Sequence, residues 1–199
     1  MGFYGKADND SKRKLMQKYA KLLCELHSVD VSAITKSYKG KFIENELMEI
    51  RDIIEKNKLN DYMKILEKLE SESANIKEVP LSFIHRDYHP WNVVVDKDCE
   101  LYVIDIFNTQ GDYRFDVGWA YVHMKRTSSN PEFVSFAESF LSEYIVLNPD
   151  AIDNFEFFKQ LANLRWLANV RPGEWSEKPD SWTHMIKEAD VVMLEYIQK

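Results

Sequence analysis

Three oxygen-bearing side chains in the middle of the sequence have types and spacings that suit phosphate chemistry. Asp87 is followed five positions later by Asn92, and Asp105 lies thirteen positions beyond Asn92. Carboxylate and amide oxygens are ligands that Mg²⁺ accepts while keeping other positions for water and phosphate. A further carboxylate that is not a ligand is free to accept the proton of a hydroxyl. The trio therefore fits metal-assisted phosphoryl transfer, with one carboxylate orienting the nucleophile.

A predicted β-hairpin would position these side chains. Two runs rich in β-branched residues, 92–95 and 101–104, are separated by a short segment of turn-forming residues. If the runs pair antiparallel, the residues that flank them meet at the open end of the hairpin. Those residues are Asn92 and Asp105. Pro90 keeps the preceding loop from continuing as a helix or a strand.

The rest of the chain is predicted to be helical, apart from a short β-type run at 81–85. Apolar residues recur with a helical period in seven segments, and a proline-containing loop separates the last two. The fold class predicted is therefore mainly α with a small central β-hairpin, an α+β arrangement. The helical segments are 8–30, 42–57, 61–72, 115–126, 131–147, 154–170 and 181–198.

Composition limits the class of protein. The chain has 199 residues, 45% of them hydrophobic, which suits one globular domain or one lobe of a larger enzyme. A net charge of −7 argues against non-specific nucleic-acid binding, which needs basic patches. Cys24 and Cys99 have no metal-type spacing and fit a reducing compartment. No apolar run approaches the roughly 20 residues of a membrane span. We therefore expect a cytoplasmic protein without membrane or nucleic-acid partners.

Two motifs resemble a known family. The stretch HRDYHPWN, residues 85–92, resembles the catalytic loop of the aminoglycoside phosphotransferase and choline kinase group of the protein-kinase-like superfamily, which reads His-x-Asp-x-x-x-x-Asn. The stretch VIDIFNTQGDYRFDVGW, residues 103–119, resembles the group's next motif, in which Ile-Asp is followed by Gly-Asp-Pro and Asp-Leu-Ala. The first helix ends in Leu-His, as in that group. The resemblance implies the helical C-terminal lobe of such a phosphotransferase.

The resemblance also implies roles for individual residues. In such an enzyme, the γ-phosphoryl group of ATP is transferred to a hydroxyl of a small molecule, with Mg²⁺ as cofactor. Asp87 would be the catalytic base, and Asn92 and Asp105 would hold the metal. His85 and Asp116 would brace the catalytic loop.

The second motif departs from the family at one point. Asp112 corresponds to the aspartate of Gly-Asp-Pro, but Tyr113 stands where the family has proline. We therefore expect Asp112 to be structural at best.

The domain organisation expected from the resemblance is that of one lobe. Residues 1–10 resemble the end of the hinge between lobes. Residues 11–199 form the C-terminal lobe, with the catalytic loop at 85–92 and the metal-binding motif at 104–116. The chain has six glycines and no glycine-rich loop, so the N-terminal nucleotide lobe is expected to be absent. We expect a truncated or fragment form that can self-associate through the surface left uncovered.

Several alternatives stay open from the sequence. By family, the acceptor could be an aminoglycoside, choline or ethanolamine, homoserine or a sugar. A loop before the last helix carries Glu174, Trp175 and Glu177, which are weak candidates for substrate contact or parts of an ordinary solvated connection. The chain could also be a non-catalytic module that binds a ligand or a partner while retaining the shape of the lobe.

The histidines allow a competing interpretation. On a strand, His85, Asp87 and His89 would face one side and could bind a transition metal, as in a hydrolase. Pro90 interrupts such a strand, and no further His or Cys cluster lies nearby in the sequence. The remaining histidines lie in helical segments, where we expect surface or internally satisfied residues. They are His27, His123 and His184.

Overall fold

The computed structural model describes most of the chain as helices around two small β-ribbons. It describes residues 8–32, 41–106, 109–126, 131–172 and 180–198. Within these ranges, seven α-helices and four three-residue strands occur. The predicted fold class, mainly helical with a small central hairpin, is confirmed. Among the described helices, none combines the length and the apolar character that a membrane span requires.

The helices begin and end close to the predicted positions, because local capping and apolar periodicity both favour them. Asp8, for example, accepts a hydrogen bond of 2.8 Å from the backbone N–H of Ser11 and caps the first helix. The helices are α1 (Asn9–His27), α2 (Phe42–Lys56), α3 (Met63–Ser73), α4 (Tyr113–Arg126), α5 (Pro131–Leu147), α6 (Phe155–Val170) and α7 (Asp180–Gln198).

The strands form two antiparallel ribbons. β2 (Val93–Val95) pairs with β3 (Leu101–Val103), which is the predicted hairpin. β1 (Ser82–Ile84) pairs with β4 (Thr109–Gly111). The sequence analysis did not predict β4, because its three residues Thr-Gln-Gly lack the β-branched pattern and pair with a strand far away in sequence.

Helix α4 lies at the centre of the molecule and packs against both α5 and α6. Its residues are buried on nearly all sides, so no strong amphipathic pattern marks it in the sequence. Gly118 permits the close approach of α6, because a Cβ at this position would lie 2.8 Å from the carbonyl oxygen of Phe158. This central helix carries several side chains of the site.

The predicted domain boundaries stay predictions. Residues 1–7 of the expected hinge lie outside the described residues, while Asn9 and Asp10 already belong to α1. The candidate contact residues Glu174, Trp175 and Glu177 also lie outside the described ranges.

Candidate active site

The loop that carries Asp87 is anchored by the buried carboxylate of Asp116, in the first turn of α4. Its Oδ2 accepts the backbone N–H of His85 at 2.6 Å, and its Oδ1 accepts that of Arg86 at 2.8 Å. His27 is the last residue of α1. Its Nε2 lies 3.2 Å from Oδ2 of Asp116, and its Nδ1 lies 2.6 Å from the hydroxyl of Tyr144 on α5. Asp116 therefore ties the start of the loop to three helices.

His85 connects the loop to the end of the hairpin. Its Nδ1 accepts the backbone N–H of Asp87 at 3.2 Å, and its Nε2 lies 2.9 Å from the carbonyl oxygen of Ile104. Since Nδ1 is an acceptor, the ring proton is on Nε2 and is donated to Ile104. The ring is fully buried. Both nitrogens are thus occupied, which removes His85 from the competing transition-metal site.

That competing site finds no support elsewhere in the described part of the chain. No group of three or more His, Cys, Asp or Glu side chains there could hold a metal ion. The hydrolase interpretation of His85, Asp87 and His89 is therefore not favoured by the structure.

Arg86 holds the loop in an unusual backbone conformation. Its φ of 66° lies in the left-handed region, which is unfavourable for a residue with a side chain. Besides its N–H bond to Asp116, its guanidinium pairs with Glu46 and lies 3.4 Å from Glu49, both on α2. Arg165 on α6 lies 2.9 Å from Glu49, so the cluster joins both helices to the loop. These anchors turn the chain so that the next residue, Asp87, faces the surface.

The carboxylate of Asp87 accepts hydrogen bonds from two described residues and remains accessible to solvent. Asn92 Nδ2 donates to Oδ2 at 3.0 Å, and Trp119 Nε1, one turn beyond Asp116 on α4, donates to Oδ1 at 3.2 Å. The side chain keeps 37% of its surface exposed. An ionised carboxylate has about four lone-pair positions, so it can accept a further hydroxyl proton.

Asn92 and Asp105 lie at the open end of the hairpin, with a register that differs slightly from the prediction. The N–H of Ile104 donates to the carbonyl oxygen of Asn92 at 2.9 Å, so Asn92 opposes Ile104 and Asp105 follows one residue later. The five-residue turn pairs Val95 with Leu101 and thereby fixes this register. Asp105 then turns the chain with a φ of 56°, which aspartate tolerates better than most residues.

The donor set at this end fits a hard cation. Both hydrogens of Asn92 Nδ2 go to Asp87, one to its backbone oxygen at 2.9 Å and one to its carboxylate. Its Oδ1 and the exposed carboxylate of Asp105 receive no hydrogen bond from any described residue. One amide oxygen and one carboxylate, with room for water and phosphate, match what Mg²⁺ takes from proteins.

A cavity of about 460 Å³ opens beside Asp87, and we call it the aromatic cavity. Its walls combine parts of the catalytic loop with the helices α4, α6 and α7. Burial lowers the pKa of His123 well below its usual range, and the neighbouring Arg126 and His89 act in the same direction. His123 is therefore neutral near pH 7. The lining residues are Asp87, His89, Trp91, His123, Trp166, Trp182 and Met185.

A second cavity, of about 420 Å³, reaches Asp87 from another side. Arg86, Arg165 and Asn169 belong to its lining, together with aromatic residues. Trp166 belongs to the walls of both cavities.

Several site residues were missed by the sequence analysis. His27 is an internally satisfied helix residue, as expected, but its contact with Asp116 makes it part of the site, and Trp119 contacts Asp87 directly. Trp119 lies three residues after Asp116 on α4, so helical spacing could have placed both near the same loop. Asp112 forms a buried ion pair with Arg114, with 2.6 Å between Oδ2 and Nη2, in accord with a structural role.

Comparisons with known proteins agree with this architecture. A model of the phosphotransferase enzyme family (APH) matches residues 3–155. The choline kinase LicA from Streptococcus pneumoniae is structurally similar, with a TM-score of 0.64 at 21% sequence identity over 95% of this chain and 66% of that chain. An aminoglycoside-3'-phosphotransferase of type VIII has a TM-score of 0.60 at 17% identity over 79% of this chain and 62% of that chain. No curated protein matches the sequence significantly.

Because the sequence identities are 21% and 17%, these two structures show that the fold is shared and nothing further. The chain spans about two thirds of the length of each of them.

Proposed function

The chain belongs to the phosphotransferase enzyme family, and from that premise we propose that it serves the transfer of the γ-phosphoryl group of ATP to a hydroxyl of a small molecule. The observation that carries the proposal is the Asp87 carboxylate, held by Asn92 and Trp119 at the mouth of a cavity. The chain spans about two thirds of the length of its two solved structural neighbours, so the activity of this chain by itself is also a proposal.

Asp87 would act on the acceptor hydroxyl. Its carboxylate accepts a hydrogen bond from the hydroxyl and aims the oxygen at the γ-phosphorus. The new P–O bond forms as the bond to the ADP oxygen breaks, and the hydroxyl proton passes to Asp87. Fixing the carboxylate in advance reduces the entropy lost in reaching this geometry.

Asn92 Oδ1 and the Asp105 carboxylate would hold the metal. Mg²⁺ bound there would neutralise negative charge on the phosphates. The bond from Asn92 Nδ2 to Asp87 would then keep the base at a fixed position relative to the metal ligands.

The aromatic cavity favours one class of acceptor, an alcohol that carries an alkylammonium group. The faces of aromatic rings attract organic cations, most strongly when tryptophan is involved. Trp91 and Trp182 line the cavity, and Asp87 adds a negative charge. Trp166 contributes less, because the guanidinium of Arg126 already lies 4.4 Å from its ring centroid. Choline, the substrate named for one structural neighbour, has this chemistry.

The nucleotide part of the proposal is tested by calorimetric titration of the chain with ATP, with and without Mg²⁺. We expect binding that depends on Mg²⁺ and is lost in Asp105→Ala, because the variant removes a charged ligand. Asp98→Ala removes an exposed carboxylate from the hairpin turn and serves as the control. Equal Mg²⁺-dependent binding in Asp105→Ala and the parent would remove Asp105 from the metal site.

The transfer step is tested by following phosphorylated product from ATP and choline with ³¹P NMR. Asp87→Asn should retain nucleotide binding but lower the transfer rate by about 10²–10⁴-fold, the usual contribution of a positioned base. An unchanged rate would show that Asp87 is not the base.

The acceptor class is tested separately, by titrating choline and its neutral isostere, in which a tert-butyl group replaces the trimethylammonium group. We expect choline to bind more tightly, and Trp182→Leu to remove the difference. Equal affinities would contradict a cation site. Choline binding without any nucleotide binding would instead favour the non-catalytic binding module.

A further inference from the structure

His89 occupies a defined position between the catalytic loop and the aromatic cavity. It precedes a short 3₁₀ helix, Pro90–Asn92, and its Nδ1 accepts the backbone N–H of Trp91 at 3.3 Å. Since Nδ1 is the acceptor, the proton of the neutral ring is on Nε2. Nε2 lies 3.3 Å from Oδ1 of Asp87. One ring therefore caps a helix on one side and approaches the proposed base on the other.

The ring belongs to a stacked column of three aromatic groups. His89 stacks on His123 with 5.7 Å between centroids and 26° between planes. His123 stacks in turn on Trp119, at 4.5 Å and 24°. Both outer members of the column lie against Oδ1 of Asp87: Trp119 Nε1 donates a hydrogen bond to it at 3.2 Å, and Nε2 of His89 lies 3.3 Å from it. The middle member, His123, is buried and neutral, so no charge interrupts the stack.

The column makes the two oxygens of Asp87 unequal. Oδ1 accepts a hydrogen bond from Trp119 at 3.2 Å and has Nε2 of His89 at 3.3 Å, so two nitrogens lie against this oxygen. Among the described residues, only Asn92 donates a hydrogen bond to Oδ2, which leaves one lone pair of this oxygen for another donor. The free position on the carboxylate is thus on Oδ2, next to the side chain that is proposed to hold the metal.

We propose that His89 is a positioning residue that works with Trp119 to occupy Oδ1 of Asp87, so that Oδ2 receives the acceptor hydroxyl. The effect on catalysis rests on the proposed phosphoryl transfer. The positions of His89 and Trp119 against Asp87 can be tested without turnover. Hydrogen bonds around a catalytic group are often long in the free enzyme and shorten in the reacting complex. The 3.3 Å distance between His89 Nε2 and Asp87 Oδ1 would shorten to a hydrogen bond in the reacting complex.

Two variants separate this role from simple helix capping. His89→Asn keeps a side-chain oxygen near the former Nδ1 and can still cap the 3₁₀ helix, but it cannot reach Asp87. His89→Gln places an amide N–H near the former Nε2 and can reach Asp87, but it is a poorer cap. A positioning role predicts that Gln preserves the site better than Asn. A capping role alone predicts the opposite order.

The first measurement is independent of activity. In ¹⁵N-labelled chain, the Trp119 indole N–H resonance, assigned with Trp119→Phe, reports on the position of Oδ1. We expect His89→Asn to shift this resonance towards its position in Asp87→Ala, while His89→Gln leaves it close to the parent. An unchanged resonance in His89→Asn, or a larger shift in His89→Gln, would overturn the proposal whether or not the chain turns over.

Kinetics give the second measurement if phosphate transfer to choline is detected. His89→Asn should lower kcat about tenfold with little change in the KM for ATP, which corresponds to the loss of one hydrogen bond at the reacting carboxylate. His89→Gln should recover most of that loss. Absence of transfer in the parent chain would count against the proposed function and leave the resonance measurement to decide the role of His89.

Discussion

At the scale of single residues, one buried carboxylate determines the geometry of the catalytic loop. Asp116 accepts two backbone N–H groups, from His85 and Arg86, and lies beside His27. Hydrogen bonds to a buried charged group are stronger than neutral ones, and an unpaired buried donor is costly. The left-handed backbone at Arg86 is therefore maintained by contacts outside the loop itself.

Asp116→Asn tests this dependence. An asparagine can accept only one of the two N–H groups, because its own NH₂ then faces the other. We expect a loss of about 2–4 kcal/mol in the free energy of unfolding, measured by urea denaturation. Asp98→Asn in the exposed hairpin turn should change it by less than about 0.5 kcal/mol. Equal, small effects of both substitutions would show that Asp116 does not hold the loop.

His123 gives a prediction for pH. Burial lowers its pKa in the folded protein, so below about pH 6.5 the unfolded chain binds a proton more readily than the folded one. The unfolded state then binds more protons, and stability falls as the pH is lowered. The contribution is at most about 1.4 kcal/mol per pH unit.

The measurement is the free energy of unfolding in urea between pH 7.5 and 5, for the parent and for His123→Phe. The variant should show the shallower dependence, because it lacks the group that takes up the proton on unfolding. If the parent and His123→Phe had the same pH dependence of the free energy of unfolding, His123 would bind its proton equally well in the folded and unfolded states.

At the scale of elements, α4 acts as the support of the site. Its first turn carries Asp116, its next turn carries Trp119, and the turn after that carries His123, so one helix places three site residues on one face. The helix can do this because α6 lies close behind it at Gly118. Small changes in that packing should be transmitted to the loop and the aromatic cavity together.

Gly118→Ala sets two effects against each other. Alanine favours a helix over glycine by about 1 kcal/mol, but its Cβ would lie 2.8 Å from the backbone oxygen of Phe158. Overpacking against backbone costs about 1–3 kcal/mol, so we expect net destabilisation in thermal or urea unfolding. Thr183→Ala, at an exposed position of α7, gains helix propensity without the clash and should not destabilise. A more stable Gly118→Ala protein would contradict the close approach of the two helices.

At the scale of the whole molecule, the central hairpin presents an exposed apolar face. Val94 and Tyr102 are cross-strand partners and keep 48% and 54% of their surfaces exposed, and Ile104 on the same face keeps 42%. Contiguous exposed apolar surface of this kind marks an interaction site or a tendency to associate. Because self-association was expected from the sequence, we propose that a second copy of the chain covers this face.

Sedimentation velocity over a range of concentrations tests the association. The parent should form a larger species as concentration rises, and Val94→Lys should stay monomeric, because a charge replaces a contact residue at the centre of the face. Val146→Lys changes a valine on α5 that is 77% exposed and lies outside the hairpin, and it should behave as the parent does. A parent chain that is monomeric at all concentrations would contradict the proposal.

The sequence by itself determined the helices, the central hairpin and the two motifs, because capping, apolar periodicity and turn residues act between near neighbours. It also indicated that Asn92 and Asp105 would share one end of the hairpin, since antiparallel pairing follows from two strands and a short turn. The roles assigned to Asp87, Asn92 and Asp105 remain predictions.

Only the tertiary structure decided which distant residues complete the site. β4 pairs with a strand more than twenty residues away, and His27 reaches Asp116 across 89 positions. The aromatic column joins His89 to two residues of α4, and the cavity draws on four separate segments. Local propensity does not encode such contacts, because they form only when buried helices pack with one particular spacing and rotation.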